Sequence, residues 1–184
     1  EIDYRNTAGV KDWEAAIQSE IFDAAQVRLS GFPVMLNKFL LRVGIDSFEN
    51  GYPELAASYL WRIWRTGNIN EISSLVPVYL AKILVLENDR KGAIEILSAY
   101  NNQTASVNEL VLYTLSNVLV EEGNWIDAEV NLKAFIFTFP DSSYYSSAAW
   151  MYAYTLYRSE YYNESKSVID TVLADGTGGS YTTD

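Results

Sequence analysis

The chain has 184 residues, 49% of them apolar and 20% charged, a balance that fits a folded protein and argues against disorder. Its formal net charge of −11, from 24 acidic and 13 basic residues, opposes a phosphate-binding surface and argues against nucleic acid as a partner. With no Cys and no His, it lacks thiol chemistry, disulfides, imidazole general bases and the usual zinc ligands.

No apolar run approaches the ~20 residues that span a bilayer. The sequence opens on Glu1 rather than Met and reads as a mature or trimmed fragment, with room for a lipid anchor upstream. From about Thr7 to Leu29, Val10, Trp13, Ile17, Ile21 and Ala24 recur at helical spacing, and Gly31 and Pro33 read as the close of that helix. It reads as the second helix of a repeat whose first helix precedes Glu1.

Beyond Phe39 the chain repeats. Small residues at Ala56, Ala93, Ala128 and Ser165 are spaced 37, 35 and 37 apart. Twelve positions before each stands another small residue: Gly44, Ala81, Ser116 and Ala153. Four positions after each stands a large aliphatic one, Leu60, Leu97, Leu132 and Ile169. Five before each stands a turn-compatible or polar residue, Gly51, Asn88, Gly123 and Glu160. Two antiparallel helices that cross closely need small side chains where their backbones approach, so each copy reads as a helix pair. A period in the thirties marks a helical array.

Local chemistry places the ends. Pro53 suits a first helical turn, because its missing N–H has no intrahelical partner there. Ser106 with Glu109 reads as a capping box. Asn70 or Ser73 is the expected cap of the second copy's first helix, with Pro77 near its start, and Asp141 and Ser142 are the expected caps of the fourth copy's. The pattern predicts one domain over residues 1–174, with repeats at about 37–70, 74–106, 107–142 and 143–174, and a Gly/Ser/Thr-rich tail or linker over 175–184.

The small–twelve–small–large pattern resembles the tetratricopeptide repeat (TPR). The segment Asn131–Ser142, NLKAFIFTFPDS, preceded by Gly123–Ala128, GNWIDA, is similar to the long-spaced form in bacterial envelope proteins, the outer-membrane-assembly lipoproteins and Tol-Pal-associated proteins. The resemblance implies an all-α, right-handed α–α superhelix (a TPR-like solenoid) of about four helix pairs plus an N-terminal helix. It also implies a non-enzymatic scaffold that holds a protein or peptide segment in a concave groove, in the periplasm or cell envelope.

Residues three before and one after each first-helix small residue share a face. They are Leu41 and Ile45, Val78 and Lys82, Tyr113 and Asn117, Trp150 and Tyr154, with Arg42, Tyr79 and Tyr157 beside them. The candidate partner-binding residues are therefore Arg42, Tyr79, Lys82, Tyr113, Asn117, Trp150, Tyr154 and Tyr157. Tyr and Trp combine large contact area with a polar tip. The bland counterpart is that these rings pack between neighbouring helices. No pair of carboxylates is marked by spacing, no Asp-rich loop has calcium-ligand spacing, and DGTGGS lacks the lysine of a phosphate loop. The sequence therefore assigns no catalytic residue, metal ligand or cofactor. Two alternatives remain open. One is a periplasmic module binding a small molecule or sugar at the phenol-rich end, which carries Tyr144, Tyr145, Tyr152, Tyr161 and Tyr162. The other is a structural or oligomerisation spacer.

Overall fold

The computed structural model describes residue 24 and residues 33–66, 72–104 and 106–174. Within these residues there are eight α-helices and no strand: α1 (Pro33–Glu49), α2 (Pro53–Thr66), α3 (Leu75–Leu86), α4 (Arg90–Gln103), α5 (Glu109–Glu122), α6 (Trp125–Thr138), α7 (Tyr145–Arg158) and α8 (Tyr162–Ala174). The expected leading helix and the tail lie outside the described residues; only Ala24 is described there, helical and exposed.

By contact the chain groups into two compact units, Glu1–Thr66 and Gly67–Asp184, divided between the first and second copies. In the first unit α1 packs on α2. A Cβ added at Gly44 would lie 3.0 Å from the Leu60 side chain, so a larger residue fits this crossing only if Leu60 gives way. In the second unit α3/α4, α5/α6 and α7/α8 pair, and α4 then meets α5 and α6 meets α7. The first helices α3, α5 and α7 also touch in succession, which makes them one layer and puts α4, α6 and α8 in the other.

The eight small residues that define the repeat are all buried. Leu60, Leu97 and Leu132 lie fully inside, each contributing roughly 1.5–3 kcal/mol by burial, while Ile169 in the last pair is half-buried.

The breaks between paired helices share one geometry. Gly51, Asn88, Gly123 and Glu160 have φ of 84°, 64°, 78° and 68°, and among the described residues no others have positive φ. Each ends its helix with the same pair of backbone bonds, as in Gly123 N–H to Val120 O (3.1 Å) and Asn124 N–H to Leu119 O (2.9 Å). This is the Schellman ending, which satisfies carbonyls the helix leaves unpaired. The next residue already starts the partner helix: Asp89 Oδ1 accepts from Gly92 N–H at 2.9 Å, and Asn124 Oδ1 from Asp127 N–H at 3.4 Å.

Several ends differ from expectation. Pro33 opens α1, one turn before the expected start of the first repeat, because proline's fixed φ suits a first helical position; the end of the preceding pattern lies outside the described residues. The cap of α5 is Asn108, whose Oδ1 accepts from Val111 N–H at 3.2 Å; Ser106 lies two residues too early to form the box. Ser73 Oγ accepts from Leu75 N–H at 3.4 Å, whereas Asn70 lies outside the described residues. Asp141 does not cap α7. Ser142 Oγ accepts from Tyr144 N–H at 2.9 Å, donates to the Glu109 carboxylate, and so ties the α6–α7 loop to the first turn of α5.

Candidate partner-binding face

In the second unit the small residues Ala81, Ser116 and Ala153 turn toward the paired helix, and the opposite side of each first helix is the open one. Positions two before, one after and five after the small residue lie on that side. On α3 they hold Tyr79, Lys82 and Leu86; on α5, Thr114, Asn117 and Glu121; on α7, Met151, Tyr154 and Arg158. Lys82, Leu86, Glu121, Tyr154 and Arg158 are exposed and the rest half-buried.

Neighbouring side chains hold this face in place. The Lys82 ammonium lies 4.5 Å from the centre of the Tyr79 ring, a cation–π pair that orients both. Asn117 Nδ2 donates one of its two hydrogens to the Tyr113 carbonyl at 3.2 Å. Arg158 Nη1 donates to Tyr154 Oη at 3.1 Å, and its guanidinium lies 4.8 Å from the Trp125 ring centre. Tyr154 meets the same Trp125 edge-on at 5.9 Å. Tyr152, on the α6 and α8 side of α7, has its phenol pushed up from the ordinary range by burial, then by the carboxylates of Glu129 and Glu164.

The candidate residues from sequence divide accordingly. Tyr79, Lys82, Asn117 and Tyr154 share the open face. Tyr113 is half-buried, stacked on Tyr144 at 4.5 Å and tilted against Phe135 at 5.8 Å, so its ring joins two helix pairs. Val78, at the same register as Tyr113 and Trp150, is fully in the core, and Trp150 is half-buried. The position three before the small residue thus points toward packing rather than outward. Tyr157 is exposed beyond the face, edge-on to Tyr162 at 5.4 Å. Arg42 belongs to the first unit, where its Nε donates to Asp46 at 3.2 Å. Leu86 and Arg158 were missed by the sequence reading; extending the same helical face one further turn would have found both.

The same two register positions join successive pairs along one edge, with different chemistry each time. Arg90 starts α4 and pairs with Glu121 near the end of α5 at 3.7 Å; Trp125 starts α6 and receives Arg158 at the end of α7. Among the described residues no cluster of acidic side chains could hold a metal ion. The surface lined by Asn163, Lys166, Ser167, Asp170, Thr171 and Ala174 lies along α8 alone and is spanned by the Lys166–Asp170 ion pair at 2.9 Å.

No protein-family model matches the chain, and no curated protein does. In fold it is similar to crystal structures of MamA. One aligns with a TM-score of 0.69 at 17% identity, covering 95% of this chain and 96% of that one. A second gives 0.66 at 15% identity over 92% and 96%. A MamA RS-1 double mutant gives 0.65 at 14% identity over 75% and 74%. At such identities the likeness is one of fold, a TPR-like all-α helical repeat, and it bears out the helix-pair reading.

Proposed function

We propose that this chain is a non-enzymatic protein-interaction scaffold that receives an extended peptide across the open face of α3, α5 and α7. One observation carries the reading. Three first helices form a single layer whose outward positions hold ammonium, amide, phenol and guanidinium groups fixed by neighbouring rings, a hydroxyl and a backbone carbonyl. An extended peptide has unpaired backbone carbonyls, and Lys82, Asn117, Tyr154 and Arg158 offer donors at intervals along it. Tyr79 and Tyr154 add flat contact area at low entropy cost. Because the helices are packed before the partner arrives, binding orders little of the protein. The cellular setting we propose is the bacterial envelope, with a periplasmic location. That part rests on the resemblance of Asn131–Ser142 alone, and fractionation of the source cells tests it.

Selection from a random dodecapeptide library, with affinities read by fluorescence anisotropy, tests the binding reading. Tyr79→Ala with Lys82→Ala should weaken selected peptides about tenfold or more, as expected for an anchor worth over 1.4 kcal/mol. Tyr157→Ala, beyond the face, should leave them within about twofold. Equal binding by all variants would refute the site. A saturable response to sugars or small planar ligands, with none to peptides, would favour the rival reading.

A further inference from the structure

The outer side of α6 carries a row of apolar residues. Ile126 is 80% exposed, Val130 65% and Phe137 83%, with Ala134 exposed between the last two. Their spacing keeps them on one stripe about 16 Å long. The other copies supply an internal control. The positions of Ile126 and Val130 hold Glu54 and Ser58 on α2, Lys91 and Glu95 on α4, and Asn163 and Ser167 on α8. Three of four second helices are thus polar on this side, and α6 is not. A contiguous exposed apolar patch marks an interaction surface.

We infer that α6 pairs with the α6 of a second copy of this chain, antiparallel, about a two-fold axis at the level of Asn131. The charges beside the stripe select this occupant. Glu129 and Lys133 lie along the same edge of the stripe, two residues either side of Asn131. Among the described residues neither makes an ion pair within its own chain. Antiparallel pairing about that level brings Glu129 of each copy opposite Lys133 of the other, twice by symmetry, and sets each Ile126 beside the other copy's Phe137. Parallel pairing would instead set the two copies' Glu129–Lys133 edges on opposite sides of the seam, where neither charge meets its complement. The stripe offers roughly 400 Å² per copy, about half of what a standard stable interface buries, so the pairing belongs to the weak, concentration-dependent class. The surface belongs to the second-helix layer, so it stands or falls separately from the peptide face.

The test is sedimentation velocity of the full chain over a roughly hundredfold concentration range, read beside circular-dichroism melting. The mean mass should rise toward a dimer with concentration, and Phe137→Asp should hold it at the monomer without shifting the melt. Glu129→Lys and Lys133→Glu should each weaken association, and the double swap should restore it. Because the chain has no Cys, single replacements report the register cleanly. Val130→Cys lies about 3 Å along the axis from its mate and should form an intermolecular disulfide. Ile126→Cys lies about 15 Å from its mate and should not. A monomer at every concentration, a dimer that survives Phe137→Asp, or disulfides at both positions would overturn the inference; the first would leave the stripe to a different protein.

Discussion

Ser165 Oγ donates a 2.7 Å hydrogen bond to the backbone carbonyl of Ala153, joining the two small residues at which α7 and α8 cross. A hydroxyl one bond from Cβ reaches a backbone oxygen on another helix only when the helices nearly touch. Ser165→Ala should cost about 1 kcal/mol through the lost bond. Ser165→Leu, like Ala128→Leu in the α5/α6 crossing, should cost roughly 1–3 kcal/mol by overpacking. Urea midpoints measure both, and an unchanged midpoint for Ala128→Leu would contradict the crossing.

The left-handed turn residues make a second set. Glu160 at φ 68° holds a conformation in which its Cβ is crowded, while Gly51 and Gly123 hold theirs freely. Glu160→Gly should stabilise the fold by about 0.5–1 kcal/mol, and Gly123→Ala should destabilise it by about 1 kcal/mol. Thermal melts of the two variants should move in opposite directions.

Tyr100 is buried in α4, donates to the Ile72 carbonyl at 3.1 Å, and has its pKa raised above 10.0 by that burial. The fold therefore favours the neutral phenol. Its contribution is complete below pH 10 and is lost as the pH rises through the elevated value. Tyr100→Phe should cost about 1–2 kcal/mol at neutral pH, with the Ile72 oxygen left unpaired. The gap between the two proteins should close above pH 10. A gap that stays constant would contradict the role of the hydroxyl.

Salt should separate the two inter-pair contacts. Arg90–Glu121 is a half-exposed ion pair at 3.7 Å, worth well under 1 kcal/mol and screened by ions. Arg158 over Trp125 acts through a ring. Glu121→Gln should lower stability slightly in dilute buffer and not at all near ~0.5 M salt, whereas Arg158→Ala should cost about 0.5–1 kcal/mol in both. Trp125 emission should change only with Arg158→Ala.

The helix pairs were legible in sequence because a backbone crossing tolerates few residue types, so Gly, Ala and Ser recur at fixed spacing. The turns were legible for a similar reason, although Glu160 fills a left-handed position with a residue that does not advertise it. The caps were less so: Ser106, Asn108, Asp141 and Ser142 are all good cap residues, and only geometry decides which amide each meets. The face residues were half legible. Helical spacing put Lys82, Asn117 and Tyr154 together, but could not separate the outward side from the edge where Tyr113 stacks on Tyr144. The α6 stripe went unread because Ile126, Val130 and Phe137 look like core residues until the four copies are compared position by position.

The shared turn at Gly51, Asn88, Gly123 and Glu160 leaves no slack, since the residue that finishes one helix's bonding also begins the next. One inserted residue there would swing the following helix by about 100° and carry its apolar side out to solvent. Epitope tags, fluorophore sites and length variation therefore belong between successive pairs, in the longer joint between Gln103 and Glu109, and not beside Ser142 and Tyr144, which are tied to α5.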